Sequence, residues 1–489
     1  MIVAPLHDAL ARVRAAVSPR THRPPAGPAG IAIHAAALLL WCGLVMRAFV
    51  GGGGLFAWSA GIVYIFYDTV LLTFVFMRTI RIEQPRHEPS ATLDGAWPTI
   101  TVIVAAHNEA PSLAVTIAAL LAQTAPAETI VIADDGSTDG TVGVLARLYG
   151  LDARQGELSE PSPVHPALRC LRLPRGGKAR ALNAACALAA SDLVVTVDAD
   201  TLLDPPALAA MARAFAADPH LVAATGVLTP LCGPSVQGRV LEWFQTYEYV
   251  RNFLSRYAWM RADGLLLISG AFGCYRRSSL LSVGGFDPDS LVEDYELTHR
   301  LRDHAGNTGT ICHTAVIGGA HGRTDAPDSF RAFLRQRRRW FGGFLQTQLW
   351  YRHMVGNRRY GHTGTAMLPV KAIDTLQPLY GLAGTVLLLA YIAEGRVSLL
   401  EAVFSVIGAK LAIDLAFGAW SMRLYRRWIG DPAALSLPRG LLAILLEPFS
   451  FQILRHVGAA LGWVTFLTGR HRWGAQERRG IGSASSGDG

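Results

Sequence analysis

Long apolar runs near both ends are the feature that most constrains the fold of this 489-residue chain. Residues 31–50 and 55–76 form two such runs, and residues 375–393 and 399–420 form two more. At a rise of about 1.5 Å per residue, a helix over each run is long enough to cross a hydrocarbon layer of about 30 Å. Together with a hydrophobic content of 51%, the runs predict a membrane protein whose spans flank a central segment.

Basic residues beside these runs predict their orientation. They precede the first run and follow the second, which places both ends of the pair in the cytoplasm. We therefore expect a mobile cytoplasmic tail over residues 1–30 and two transmembrane helices over residues 31–80, joined by an outer turn at Gly51–Gly54. A cleaved signal peptide is the rival interpretation of the first run, but its apolar part starts late. The net charge of +8 suits this membrane pattern better than nucleic-acid binding.

The region after residue 345 is predicted to hold interfacial and transmembrane helices over residues 346–470. Glu447, Pro448 and Arg455 interrupt residues 441–467, which leaves a broken span, a hairpin and an interfacial helix all open. Residues 471–489 are expected to form a disordered cytoplasmic tail. The sequence thus predicts a multi-pass protein of the inner or plasma membrane with its central segment in the cytoplasm. Its six scattered cysteines include no CxxC pair, so neither a disulfide framework nor a zinc site is expected.

The segment from residue 98 to about residue 226 alternates between short β-type runs and helical runs. Strands are expected over 99–105, 128–133 and 192–197, and helices over 110–122, 140–148 and 178–190, with an irregular proline-rich link before the last helix. Repeated strand, helix and strand predict an α/β fold with a parallel, doubly wound sheet. Such a sheet binds its ligands beyond the carboxyl ends of its strands.

Polar side chains follow each of these strands. They are Asn108 and Glu109, Asp134 and Asp135, and Asp198 and Asp200. Carboxylates on alternate residues suit Mg²⁺ or Mn²⁺, which in turn would hold a phosphate, although an isolated Asp-x-Asp is more often a solvated turn. Lys178 opens a helix, where it could meet an anion or simply remain solvated. A dinucleotide site is disfavoured because no GxGxxG follows the first strand.

An ordered set of short motifs resembles the membrane-bound, processive glycosyltransferases of family 2, a group that includes cellulose, chitin, hyaluronan and poly-N-acetylglucosamine synthases. The matching segments are residues 106–109 (AHNE), 134–141 (DDGSTDGT), 177–179 (GKA), 182–183 (LN), 198–200 (DAD), 269–270 (SG), 293–294 (ED) and 336–340 (QRRRW). The resemblance implies a GT-A, Rossmann-like domain over residues 96–345, inserted between the N- and C-terminal transmembrane helices.

The same resemblance assigns one set of residues to a UDP-sugar donor. Asp134 or Asp135 would contact the uracil, and Lys178 would contact the nucleotide. Asp198 and Asp200 would bind the ribose, the metal ion and the diphosphate. Asn108 and Glu109 complete the expected donor nucleotide site. A divalent cation would stabilise the negative charge that the departing UDP gains.

A second set is assigned to the acceptor. Asp294 is the expected general base, with Glu293 orienting, although two carboxylates at a helix start can also merely complement the helix dipole. Gln336 and Arg339 would serve the acceptor and diphosphate region, and Trp340 would stack under an acceptor sugar. The alternative for residues 336–340, strongest for Arg337 and Arg338, is a basic membrane-surface segment. The remaining candidates, of which the last four could equally be core, are Ser269, Gly270, Glu242, Trp243, Gln245 and Tyr249.

These features together predict an inverting, metal-dependent, processive β-glycosyltransferase that extends and exports a polysaccharide. UDP-N-acetylglucosamine is the donor that the overall likeness favours, and no segment resembling the cyclic-di-GMP-binding module of bacterial cellulose synthases is found. Two alternatives are transfer of one sugar to a lipid or short acceptor, and a non-catalytic sensor or pore scaffold. The expected partners are the donor, the growing polymer and the bilayer, with room for an accessory export or regulatory subunit. The hypothesis requires Asp198 and Asp294 to open onto one cavity.

Overall fold

A single eight-stranded sheet forms the centre of the computed structural model, which describes residues 3–50, 59–82, 97–395, 397–431 and 435–469. The sheet order is β3-β2-β1-β4-β7-β6-β8-β5. The strands are β1 (Ile100–Ala106), β2 (Thr129–Asp135), β3 (Leu168–Leu173), β4 (Leu193–Asp198), β5 (Thr201–Leu203), β6 (Leu221–Leu231), β7 (Phe272–Arg276) and β8 (His313–Asp325).

Helices cover this sheet and extend beyond it at both ends of the chain. The helices up to the sheet domain are α1 (Val3–Val17), α2 (Pro19–His22), α3 (Pro28–Val50) and α4 (Ser59–Thr79). Those within the domain are α5 (Leu113–Leu121), α6 (Thr141–Tyr149), α7 (Lys178–Leu188), α8 (Ala207–Ala217), α9 (Val236–Met260), α10 (Arg277–Ser282), α11 (Glu293–Thr308) and α12 (Phe330–Trp350). The later helices are α13 (Leu368–Asp374), α14 (Gln377–Ala393), α15 (Val397–Ile429), α16 (Leu437–Leu446) and α17 (Phe451–Thr468).

The first half of the sheet is parallel, as the sequence predicts. β1 pairs in parallel with both β2 and β4, and β2 pairs in parallel with β3. These strands are almost wholly apolar and buried, because helices cover both faces of such a sheet. The parallel arrangement that the sequence predicts for this segment is therefore confirmed. β3 lies within the link that the sequence analysis treats as irregular, where the short run Leu168–Leu173 is buried against β2.

The second half of the sheet, most of which follows the segment predicted to be parallel, includes antiparallel pairs. β7 runs antiparallel to β4 on one side and to β6 on the other, and β5 runs antiparallel to β8. The long helix α9 returns the chain from β6 to the middle of the sheet, where β7 enters between two strands already in place. The result is a mixed sheet.

Apolar helices long enough to cross a membrane flank the sheet domain. Three satisfy this by length and composition, over Gly61–Thr79, Thr363–Ala393 and Val403–Ile429. The pair Leu437–Phe449 and Phe451–Thr468, bent by 51°, would form a fourth span if it is one broken element. Pro28–Leu44, in the first predicted span, is a shorter apolar helix. The turn at residues 51–54 and the C-terminal tail from residue 471 lie outside the described residues.

The N-terminal segment is not the mobile tail that its composition suggests. α1 packs against α7, and the Arg14 guanidinium donates 3.0 Å hydrogen bonds to the carbonyls of Gly284 and Phe286. A Cβ on Gly284 would lie 2.3 Å from the backbone nitrogen of Arg14, so this close approach needs a glycine. The prediction failed because the stabilising contacts are about 270 residues away in sequence.

Three glycines let α12 and α17 touch backbone to backbone. A Cβ on Gly458 would lie 2.6 Å from Arg337 Cβ, and a Cβ on Gly462 would lie 2.9 Å from the backbone nitrogen of Gly342. Small residues at such positions allow two helices to approach more closely than side chains normally permit. We call Gly342, Gly458 and Gly462 the glycine seam.

Candidate active site

One cavity of about 640 Å³ lies where β1, β2 and β4 end, and α9, α11 and α12 complete its wall. Asp198 and Asp294 both line it, so the structure meets the requirement set by the sequence. The predicted residues on its wall are Asn108, Glu109, Asp135, Lys178, Asp198, Ser269, Gly270, Glu293, Asp294, Gln336, Arg339 and Trp340.

Asp135 is held in place on the wall of this cavity, at the end of β2. Its carboxylate accepts hydrogen bonds from the backbone N–H groups of Gly176 at 2.7 Å and Gly177 at 2.9 Å, and from Arg175 at 2.5 Å. Gly136 adopts a φ of +66° and packs against the backbone of Arg175, where a Cβ would lie 2.7 Å from the backbone nitrogen of Arg175. The carboxylate thereby ties the end of β2 to the loop that precedes Lys178.

Asn108 and Glu109 build the loop beside it as well as lining the cavity. Asn108 adopts the left-handed conformation at φ +58°, and its amide oxygen accepts from the N–H of Thr138 at 2.8 Å. The N–H of Glu109 donates to the hydroxyl of Thr141 at 2.9 Å. These contacts join the end of β1 to the turn after β2.

Asp134 and Asp200 lie behind the wall. Asp134 is fully buried, and its carboxylate accepts from the N–H of Ser137 at 3.1 Å, which closes the turn after β2. Asp200 is 1% exposed, and its carbonyl accepts from the N–H of Asp325 at 3.1 Å. Of each predicted pair, the structure therefore places Asp135 and Asp198 on the cavity. The donor role of Asp134 and the metal role of Asp200 stay predictions.

Lys178 joins the two halves of the site. Its ammonium pairs with Asp198, lies 3.6 Å from a carboxylate oxygen of Glu293, and donates to the carbonyl of Gly270 at 3.4 Å. Burial alone would lower the pKa of Lys178, but Asp198 and Glu293 raise it, so this side chain remains a cation. Burial also raises the pKa of Glu293, which Lys178 opposes. A single cation thus contacts both Asp198, at the end of β4, and Glu293, at the start of α11.

Asp294 is held in one orientation at the start of α11. One carboxylate oxygen accepts from the N–H of Gly270 at 2.7 Å, and the other accepts from the N–H of Tyr295 at 2.8 Å. A Cβ at position 270 would lie 3.0 Å from the Asp294 carboxylate, so a glycine permits this approach. The N–H of Ser269 donates to the Thr225 hydroxyl at 3.2 Å, which anchors the same loop. The carboxylate faces the cavity with fixed geometry, as a proton acceptor requires.

α12 brings Gln336, Arg339 and Trp340 to the opposite wall. Arg339 donates to the carbonyl of Leu291 at 3.1 Å. The side-chain oxygen of Gln336 is buried and has no hydrogen-bond partner among the described residues, so it can accept from a ligand. Arg337 is 12% exposed and Arg338 is exposed, so the membrane-surface alternative fails for Arg337.

The donor set fits a divalent cation that is shared with a ligand. Asp198 lines the cavity and pairs with Lys178 through Oδ1. No group of three His, Cys, Asp or Glu side chains in the described ranges could hold a metal alone. Mg²⁺ typically takes one or two carboxylates and completes its coordination with water and substrate phosphates. Asp198 therefore suits an ion that arrives with a diphosphate.

Some α9 residues that line the cavity were not predicted from the sequence. Tyr249, Asn252, Phe253 and Arg256 line the cavity at the spacing of one helix face. That spacing was available in the sequence, although only Tyr249 was a candidate. Arg175 was missed too. The other α9 candidates serve the fold and do not line the cavity, namely Glu242, Trp243 and Gln245.

Two family models match the chain. Residues 101–284 match the model described as glycosyl transferase family 2, and residues 193–404 match glycosyl transferase family group 2. Together they cover the sheet domain and continue into α15.

Curated relatives carry the name poly-beta-1,6-N-acetyl-D-glucosamine synthase. One, from Staphylococcus aureus, is 28% identical over 248 residues, which are 50% of this chain and 53% of that protein. Another, from Staphylococcus epidermidis, is 28% identical over 206 residues, or 41% of this chain and 45% of that protein. The chain spans about half the length of the curated relatives it matches.

A solved mannosyltransferase from Pyrobaculum calidifontis, in complex with GDP-Man and Mn²⁺, has a similar structure. The TM-score is 0.53 at 22% sequence identity, and the match covers 81% of this chain and 99% of that chain. At this identity the likeness establishes the fold alone.

Proposed function

Because this chain is a family 2 glycosyltransferase with a GT-A fold, we propose that it extends a polysaccharide processively from UDP-N-acetylglucosamine. The likeness to poly-beta-1,6-N-acetyl-D-glucosamine synthases supports this donor. The observation that carries the proposal is the shared cavity of Asp198 and Asp294, with Lys178 between the two motifs. A donor diphosphate and an acceptor hydroxyl can therefore meet in one place.

In this proposal the reaction is an in-line displacement. The Asp294 carboxylate takes the proton from the acceptor hydroxyl, and the oxygen attacks the anomeric carbon as its bond to the diphosphate breaks. UDP leaves on the opposite face, so an α-linked donor gives a β-linkage. Lys178 stabilises the negative charge of the leaving group, and Gly270 keeps Asp294 aimed at the hydroxyl.

A divalent cation is expected at Asp198, where it would neutralise charge on the diphosphate. The solved mannosyltransferase holds Mn²⁺ with a nucleotide sugar, which supports a divalent ion here without choosing between Mg²⁺ and Mn²⁺. The chain's own residues then orient the two sugars and exclude water.

Processive export is the wider part of the proposal. Trp340 on the cavity wall offers a flat ring on which an acceptor sugar can stack, and three apolar helices of spanning length flank the domain. We place the catalytic domain in the cytoplasm and the polymer's exit across the inner or plasma membrane. An accessory export subunit is compatible with this arrangement.

The test uses the full chain in lipid nanodiscs. UDP-N-acetylglucosamine, other UDP-sugars and GDP-mannose are supplied with Mg²⁺ or Mn²⁺, and UDP or GDP release and product length are measured. We expect long polymer from UDP-N-acetylglucosamine and loss of turnover with EDTA, restored by the metal. One-sugar lipid products would contradict processivity, another preferred donor would contradict the sugar, and no nucleotide release would contradict catalysis.

A further inference from the structure

Arg256 differs from the other cations on the cavity wall. Among the described residues it makes no hydrogen bond and no ion pair, and its Nη1 nitrogen is buried without a partner. Its guanidinium makes a cation–π contact with Phe253, whose ring centroid lies 4.5 Å from the guanidinium carbon. The other three cavity cations are engaged: Arg175 with Asp135, Lys178 with Asp198, and Arg339 with a backbone carbonyl.

This free guanidinium stays charged at neutral pH. Burial lowers the pKa of Arg256 to about 10, and the charges of Tyr249 and Asp294 oppose that change. A partly buried cation whose Nη1 nitrogen is shielded from solvent without a hydrogen bond is costly, because the lost solvation is not replaced. A ligand that offers oxygen atoms to its N–H groups would remove that cost.

The position of Arg256 points to the acceptor. It shares one face of α9 with Tyr249, Asn252 and Phe253, and Asp294 is the carboxylate whose charge acts on it. Asp294 is the group placed to receive the acceptor's proton.

We propose that Arg256 is an acceptor-binding residue whose guanidinium donates hydrogen bonds to hydroxyl or N-acetyl oxygens of the acceptor sugar. This inference rests on the proposed function. The planar guanidinium presents several N–H groups in a fixed fork, which suits two neighbouring sugar oxygens. The Phe253 ring beneath it limits the orientations that the fork can adopt.

The experiment compares Arg256→Met and Arg256→Lys with the natural chain in nanodiscs. Short β-linked N-acetylglucosamine oligomers are added as acceptors, and the donor is kept saturating. We expect the Arg256→Met substitution to raise the KM for the oligomer by about 10- to 100-fold, the range for losing hydrogen bonds to a charged group. The Kd for UDP with Mn²⁺ should stay within about twofold of that of the natural chain. The KM for the oligomer in Arg256→Lys should lie between that of Arg256→Met and that of the natural chain.

Thermal unfolding separates binding from a structural role. Replacing an unpaired, partly buried cation by an apolar side chain of similar size should leave the melting temperature unchanged or raise it. Arg261→Ala, at the exposed end of the same helix, is the matched control and should alter neither KM nor stability. A melting temperature that falls together with activity would overturn the proposal, as would an unchanged KM.

The two proposals fail in different ways. If the natural chain releases no UDP from UDP-N-acetylglucosamine, the proposed function fails, and no variant is needed to see it. If the natural chain is active and Arg256→Met weakens UDP binding instead of oligomer use, Arg256 belongs to the donor and only this inference is overturned.

Discussion

Arg337 and Glu248 form a two-pronged ion pair beside the cavity. The two terminal nitrogens of Arg337 donate to the two carboxylate oxygens of Glu248 at 2.9 and 2.6 Å. The same guanidinium lies 4.7 Å from the centroid of the Trp340 ring. Glu248 also lies 3.5 Å from Arg455 of α17, so one carboxylate connects three helices. Arg337 is therefore placed to fix the ring on which we expect an acceptor sugar to stack.

Arg337→Ala should shorten the polymer and lower stability. The pair is almost buried, and removing one partner of an isolated buried pair costs about 3–5 kcal/mol. Because Arg455 still lies 3.5 Å from Glu248, we expect Arg337→Ala to cost less than this. Product length is measured on gels, and stability by thermal unfolding. Arg338→Ala, an exposed neighbour on α12, is the control and should leave both unchanged. Normal polymer length in Arg337→Ala would remove Arg337 from any role in positioning Trp340.

Asp294→Asn should separate donor binding from transfer. The asparagine side-chain oxygen can still accept from the N–H of Gly270, whereas its NH2 group can neither accept from the N–H of Tyr295 nor take a proton. We expect UDP-sugar affinity within about twofold of normal and turnover lower by about 10²- to 10⁴-fold, the range for losing a general base. Calorimetry and UDP release measure the two quantities. Asp152→Asn, on the exposed surface, should be fully active, and near-normal turnover of Asp294→Asn would require another base.

Acidification should destabilise the domain through His299. This side chain is fully buried on α11, and burial lowers its pKa from 6.5 to about 4. Below pH 6.5 the unfolded chain binds a proton that the folded chain excludes, so stability falls as the pH falls. Between pH 7.5 and pH 5 the loss is about 2 kcal/mol, from 1.36 kcal/mol per pKa unit. His299→Gln should lose less stability over this range, whereas exposed His362→Gln should behave like the natural chain.

The N-terminal helix should support the catalytic loop. Arg14 is almost buried and bonds the carbonyls of Gly284 and Phe286, shortly before Asp294. Arg14→Ala should therefore lower the free energy of unfolding by about 1.5–3 kcal/mol, the range for hydrogen bonds that involve a charged group, and reduce turnover. Chemical unfolding and UDP release measure these effects. Arg12→Ala, exposed on the same helix, is the control, and an equal effect of both variants would contradict a specific role for Arg14.

Local sequence patterns predicted the parallel half of the sheet and most of the cavity wall. Asp135 ends β2 and Asp198 ends β4, the two strands that pair in parallel with β1 on its two sides, and the carboxyl ends of such strands must lie at one edge. Asp294 was placed by resemblance, because no local pattern relates it to Asp198. Asp135 lines the cavity and Asp134 does not. This difference depends on how β2 ends, which the sequence does not specify.

The remaining features depend on contacts between distant parts of the chain. The docking of Arg14 and the entry of β7 between two other strands both arise from tertiary packing. Arg256 is the exception, since its spacing from Tyr249 marks one helix face. It was overlooked because an arginine on a helix is usually a solvated side chain.

The glycine seam has a mechanical consequence. Because Gly458 and Gly462 pack directly against α12, we expect the two helices to have little room to move independently of each other. Trp340 on α12 and the α17 half of the bent pair should therefore move together. If the enzyme elongates a polymer, two movements could advance the product. Its sugar units could slide across a stationary Trp340 ring, or α12 and α17 could tilt together against the sheet.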